Sequence, residues 1–218
     1  MAIKTRKIGI IGAGNVGSHL ALQFAIQGLA DEVVFYDINH DKAMGEALDL
    51  SDAVSYQPHH FEAYAGTIAD MKDADIMINA SGKPRLPGQT RLDMMDGAVE
   101  TTKELIPLIQ NSGFGGIIIS ISNPCDIIAE YLQYKLDWPK EKVIGSGTAL
   151  DSARLQMQLS TQLKINRRSL TAYRRAWRQL DDSLEPCPGS GKADRPTSRR
   201  KAGTLPHGRQ GHYFRKSP

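Results

Sequence analysis

Cysteine is scarce in this chain, with two in 218 residues. Cys125 and Cys187 stand far apart and show no C-x-x-C spacing, which excludes a disulfide framework and indicates no zinc site. Long apolar runs are missing as well: nothing approaches the ~20 residues that cross a bilayer. The start, "MAIKTRKIGIIGAG", passes straight into a strand pattern with no secretory h-region. These absences lead to the expectation of a soluble cytoplasmic protein without membrane association.

A strong net charge is also lacking, since 27 Lys+Arg against 24 Asp+Glu leave +3. That small sum hides a split. From Arg174 to Pro218 there are 11 Lys+Arg against 4 Asp+Glu, and no Ile, Val or Met but five Pro and five Gly in 45 residues. The residues before that tail hold 16 basic and 20 acidic groups. The basic excess therefore belongs to the tail, and no nucleic-acid partner is expected for the whole protein. So little apolar surface cannot offset the entropy of ordering, and residues 174–218 are expected to be disordered. "RPTSRRKAG" has a rival reading as an arm for nucleic acid or an anionic membrane, but it lacks the amphipathic or aromatic spacing of such arms.

The first half is patterned. In "KIGIIGAGNVGSHLALQFAIQGL", Ile8, Ile10 and Ile11 make a short buried strand, and Gly12, Gly14 and Gly17 complete G-x-G-x-x-G. Val16, Leu20, Ala21, Phe24 and Ala25 then recur at helical spacing. Gly12 permits a tight turn, Gly14 lets a pyrophosphate approach the backbone, and Gly17 lets helix and strand pack closely. The phosphates would rest on the helix N-terminus, at Asn15 and Val16, where free N–H groups and the dipole favour an anion. A glycine turn alone is weak evidence. Its support is a second strand, "EVVFYD", which ends in Asp37. A carboxylate there accepts hydrogen bonds from ribose hydroxyls and repels a 2′-phosphate, so NAD is expected over NADP. The plainer alternative for Asp37 is a solvated acid at a strand end.

The alternation continues with a helix in "KAMGEALDLSDAV" and buried strands in "ADIMINAS" and "GGIIISISNP". Apolar strands alternating with helices predict an α/β fold, a doubly wound parallel sheet, over residues 1–147. "GKPRLPGQTRLDMM" reads as a loop at the carboxyl end of a strand, where ligands bind in such sheets, and it offers Arg85 and Arg91. "SISNPCD" puts Asn123 at the end of another strand. "GSGTALDSARLQ" puts Asp151 and Arg154 three apart, on one face of a helix. "SLTAY" reads as a strand that follows.

Taken together, "GIIGAGNVG", the acid of "VVFYD", "PGQTRLD", "SNPCD" and "GSGTALDSARL" resemble the lactate/malate dehydrogenase family over residues 5–173. The resemblance implies a Rossmann NAD-binding domain, a truncated α+β catalytic domain starting at residues 148–173, and hydride transfer between NAD and a small 2-hydroxy or 2-oxo acid. It also implies that Arg91 polarises the substrate carbonyl, Asn123 hydrogen-bonds it and lies beside the cofactor, and Arg154 holds the carboxylate bidentately. Asp151 would orient a proton-carrying histidine. Arg85 stands where the family reads the substrate side chain; arginine there resembles malate enzymes, and lactate is the alternative. Intact relatives are expected to be homo-oligomers.

One expected piece is absent. The family follows "AY" with Gly-Glu-His-Gly-Asp-Ser, which carries the catalytic histidine, whereas this chain continues "RRAWRQLDDS". Codons permitted for "RRAWRQL", read one base later, give Gly-Glu-His-Gly-Asp-Ser. Those for "DDSLEP" continue as Leu-Met-Ile-Pro-Trp-Ser. The single tryptophan codon at Trp177 forces the glycine after that histidine. A frameshift after Tyr173 is therefore expected, with His207 and His212 incidental and the chain inactive as written. A non-catalytic NAD-binding remnant is the other reading.

Overall fold

The computed structural model describes residues 5–83 and 93–172. Arg85, Arg91, Tyr173, Cys187, His207, His212 and the whole of 174–218 lie outside the described residues. The described chain forms one six-stranded parallel sheet in the order β3-β2-β1-β4-β5-β6. In chain order the strands are β1 (Lys7–Ile11), β2 (Glu32–Tyr36), β3 (Glu62–Ala65), β4 (Ile76–Asn79), β5 (Ile117–Ser120) and β6 (Val143–Gly145). Between and after them run α1 (Asn15–Gln27), α2 (His40–Val54), α3 (Asp93–Ser112), α4 (Cys125–Leu136) and α5 (Ala149–Leu163). The strand order reverses between β1 and β4, the switch point of a doubly wound sheet.

Both faces of the sheet are covered, which is why its strands read as near-continuous apolar runs. Side chains alternate between the two covers. Ile8, Ile10, Val33, Phe35 and Ile78 pack with Ala21, Ala25, Ala43, Ala47 and Leu50 of α1 and α2. Ile11, Val34, Met77 and Ile118 pack with Leu105, Ile106, Ile109, Ile128 and Leu132 of α3 and α4. The buried residues of α1 are Gly17, Ala21 and Ala25, spaced four apart, so a stripe of small residues lets the helix lie close to the sheet, with Leu20 and Phe24 packed partly buried beside it. It ends on Gly28 in the left-handed region (φ 61°), with the Gly28 and Leu29 N–H groups closing on Ala25 and Phe24 carbonyls.

One expected element is absent. Ser169 closes a 3₁₀ turn (Arg167–Ser169), and Leu170 to Ala172 form no strand. Leu170 is extended (φ −110°, ψ 129°), but no described strand offers it a ladder. The segment lies instead along α5, where Gln156 Nε2 donates to the Ala172 carbonyl at 3.4 Å and Ala172 is buried. Extended backbone becomes a strand only when a neighbouring edge takes its hydrogen bonds.

Candidate functional site

Of the residues singled out in the sequence, Gly12, Gly14, Gly17, Asp37 and Asn123 follow the carboxyl ends of β1, β2 and β5. Gly12 follows β1 with φ 100°, and a Cβ on it would lie 2.8 Å from the Ala80 carbonyl oxygen. Gly17 is tighter still: its Cβ would stand 2.0 Å from the Gly12 oxygen and 3.1 Å from Ile10. A Cβ on Gly14 would meet only Lys42 Nζ, at 4.0 Å. Two of the three glycines are thus demanded by the fold, and the third faces open space. That space is where an anion can approach the first turn of α1. No acid lies in that turn, and no side chain caps it, so no side-chain acceptor competes there for the N–H groups of Asn15 and Val16. The free N–H groups and the helix dipole at such an end favour negative charge.

Asp37, one residue beyond β2, does two things at once. Its Oδ2 accepts from the Ala13 N–H at 2.8 Å, and its Oδ1 accepts from the Asn39 N–H at 2.9 Å. The glycine turn is also held to β2 by the Gly12 N–H, which donates to the Tyr36 carbonyl at 2.7 Å. A carboxylate has about four acceptor sites, so lone pairs remain for a diol after both bonds are made.

From the glycine turn the edge continues through hydrogen bonds from strand to strand. The Ala80 N–H donates to the Ile11 carbonyl at 2.8 Å. Ser122 Oγ reaches the Ser81 carbonyl at 2.6 Å, tying the turn after β4 to the turn after β5. The Ser146 N–H donates to the Ser120 carbonyl at 2.9 Å, tying β5 to the segment leading into α5. Asn123 lies on this edge and is exposed, three residues past the end of β5 in the turn before α4 rather than on the strand. Asp151 and Arg154 do share a face of α5: Arg154 Nη1 approaches Asp151 Oδ1 at 3.6 Å. Arg85 and Arg91 belong to the segment outside the described residues.

Sequence reasoning overlooked Lys42. A cation in the first turn of a helix opposes the dipole, and that was the available signal. Here Lys42 follows the cap made by Asn39, whose Oδ1 accepts from the Lys42 N–H at 3.1 Å, and its ammonium reaches the glycine turn of α1. Among the described residues no three His, Cys, Asp or Glu side chains cluster as metal ligands, and no helix is long and apolar enough to cross a membrane.

A parallel sheet in this order, with an open glycine turn over a helix N-terminus and an acid after the second strand, defines the dinucleotide-binding class. The comparisons with known proteins narrow it. Residues 6–145 match the family model of the lactate/malate dehydrogenase NAD binding domain. The chain belongs to the lactate/malate dehydrogenase family, whose cofactor is NAD. It is 42% identical over 174 residues to L-lactate dehydrogenase 3 of Bacillus cereus, covering 79% of this chain and 55% of that one. It is 41% identical over 167 residues to L-lactate dehydrogenase 2 of the same species, covering 77% and 53%. Among solved structures, it is similar to the minor L-lactate dehydrogenase of Enterococcus mundtii in ligand-bound form, with TM-score 0.74 and 36% identity over 78% of this chain and 54% of that one. The lactate dehydrogenase of Cryptosporidium parvum, solved with lactic acid and nicotinamide adenine dinucleotide, aligns with TM-score 0.72 and 26% identity over 77% and 53%. The chain spans about half the length of the curated relatives it matches.

Proposed function

We propose that this chain is the NAD-binding part of an L-2-hydroxy acid dehydrogenase of the lactate type, and that as written it binds the cofactor without turning substrate over. The observation that carries the reading is the glycine turn, closed at Gly12 and Gly17 and open at Gly14. When bound, NAD supplies the hydride chemistry; the side chains of this protein hold and orient it. Backbone N–H groups at Asn15 and Val16 receive the pyrophosphate, Lys42 adds a positive charge, and Asp37 takes the adenosine ribose hydroxyls.

The substrate side rests on residues carried over by family resemblance. Arg91 polarises the carbonyl, Asn123 hydrogen-bonds it, and Arg154 pairs with the carboxylate through its planar fork. Asp151 orients an imidazole. In this chain the segment after Tyr173 reads "RRAWRQL" rather than the histidine-bearing pattern. General acid–base help is worth ~10²–10⁴-fold, and its loss accounts for the expected lack of turnover. The names of the relatives favour lactate; a second reading, malate, is carried by Arg85, whose guanidinium suits a second substrate carboxylate. The domain division proposed is a cofactor domain over 1–147, the start of a catalytic domain over 148–173, and an out-of-frame tail over 174–218.

Calorimetric titration of the full chain tests the cofactor half of this proposal. NADH is expected to bind, and NADPH more weakly because its 2′-phosphate meets the Asp37 carboxylate. Equal or tighter binding of NADPH would refute the role given to Asp37.

A further inference from the structure

Asn79 is out of place in β4. Its strand neighbours Ile76, Met77 and Ile78 are apolar, and it sits between Ile11 of β1 and Ser120 of β5 with 1% of its surface exposed. Its Oδ1 accepts from the Ser81 N–H at 3.2 Å and from the Ser81 hydroxyl at 2.7 Å. Only the oxygen of an amide can face an N–H, so the orientation of the group is determined and Nδ2 points the other way. There Nδ2 finds no hydrogen-bond partner, and neither does Ser120 Oγ on the neighbouring strand, itself 0% exposed. Unpaired buried polar groups oppose folding. A β-branched apolar side chain would suit a central strand at 79, so the amide is explained by the two Ser81 bonds its oxygen accepts rather than by the strand itself.

What its oxygen holds is the turn that supports the crevice. Ser81, fixed by Asn79, accepts from Ser122 Oγ at 2.6 Å, and the same hydroxyl approaches the Asn79 carbonyl at 3.2 Å. Ser122 is 6% exposed and immediately precedes Asn123. Ala80, between the two anchored residues, lies against Gly12. The floor under the cofactor from the glycine turn to Asn123 is thus one hydrogen-bonded unit with the Asn79 amide at its underside. We propose that Asn79 is a positioning residue for the NAD crevice, acting through Ser81 and Ser122 on Asn123 and the glycine turn. This rests on the cofactor reading above.

The test compares Asn79→Val, Ser122→Ala, their combination and Ser120→Ala in the 218-residue chain. NADH affinity is read by titration and stability by thermal melting. Asn79→Val is expected to melt near the parent temperature, the loss of the two Ser81 bonds being offset by removal of the unpaired Nδ2 and burial of a methyl pair, while NADH binds about five- to tenfold more weakly. Ser122→Ala, which breaks the same linkage from its other end, should weaken NADH to a similar extent, and the double variant no further, because the two share one path. Ser120→Ala should leave affinity unchanged. Affinity losses that track falls in melting temperature, or that add in the double variant, would overturn the positioning role. Hydrogen exchange at the Ser81 amide, measured without NADH, separates the two layers. Faster exchange in Asn79→Val, from a parent that fails to bind NADH, would uphold the linkage and sink the cofactor reading. Unchanged exchange would sink the linkage whatever NADH does.

Discussion

At the scale of single residues, the three glycines of G-x-G-x-x-G divide by what surrounds each one. A methyl on Gly17 would be driven into the Gly12 carbonyl at 2.0 Å, a distance no rotamer can relieve because both atoms belong to backbone. Gly17→Ala is therefore expected to lower the melting temperature substantially, by the overpacking route that costs ~1–3 kcal/mol or more. Gly14→Ala meets nothing but the tip of Lys42. It should melt close to the parent and yet lose NADH affinity, because its methyl occupies the approach to α1. Melting curves and NADH titrations on the two variants check the split; equal stability losses would show that Gly14 is a folding requirement as well. The same reasoning separates Asp37 from a surface acid, since its oxygens already hold two backbone N–H groups of the crevice.

At the scale of elements, the opposite end of the sheet is tied by charge rather than by glycine. Arg6 precedes β1 and grips Asp31, which precedes β2, through Nε at 3.0 Å and Nη2 at 2.6 Å, while its own N–H donates to Asp31 Oδ2 at 2.8 Å. A third guanidinium nitrogen reaches the Gly28 carbonyl at the end of α1 at 2.7 Å. The side-chain hydrogen bonds from Arg6, then its backbone N–H, hold the Asp31 carboxyl down at about 2, against an ordinary value of 3.8. A carboxyl depressed by folding contributes stability above its unfolded pKa and loses it as pH falls through the folded one. The contribution of this pair should therefore be constant above about pH 5 and fade from about pH 4 to about pH 2. Melting curves of Arg6→Gln and the parent are expected to differ at neutral pH, by a small amount reduced by salt because the groups are exposed, and to converge near pH 2. A difference that persists undiminished at that pH would mean Arg6 acts by packing its stem.

At the scale of the whole molecule, the described chain is a covered sheet followed by a helix that has little to lie against. Leu150, Met157 and Leu163 of α5 are 62%, 45% and 54% exposed. Deleting one base, or adding two, after the Tyr173 codon is expected to open a longer frame containing Gly-Glu-His-Gly-Asp-Ser. The corrected protein should then reduce a 2-oxo acid with NADH, whereas the 218-residue chain should show binding alone. Assaying both with pyruvate and oxaloacetate also decides the substrate. Pyruvate preferred despite Arg85 would establish the lactate reading, and Arg85→Gln shifting a preference for oxaloacetate towards pyruvate would establish the other. A charge-assisted pair is worth ~1.5–3 kcal/mol, or on the order of 10- to 150-fold. Robust turnover by the uncorrected chain would overturn the frameshift and bring His207 or His212 into play.

The α/β alternation, the glycine turn and the acid at Asp37 were legible in the sequence because each rests on local patterning: strand and helix periods, and a backbone turn only glycine can make. β3 and β6 were not. "EAYA" and "VIG" are too short to show a period, and they become strands only because β2 and β5 offer them edges. The reverse happened at "SLTAY", which has strand-like residues and no described edge to join. Lys42 gave only the weak signal of a cation in a helix's first turn, and Asn79 only that of an amide at a strand end; folding set one near Gly14 and bonded the other to Ser81. The sequence by itself determined which segments could be helix or strand and which residue types could meet an anion. Tertiary structure alone decided which edges pair and which buried polar groups share a hydrogen bond, because both depend on neighbours distant along the chain.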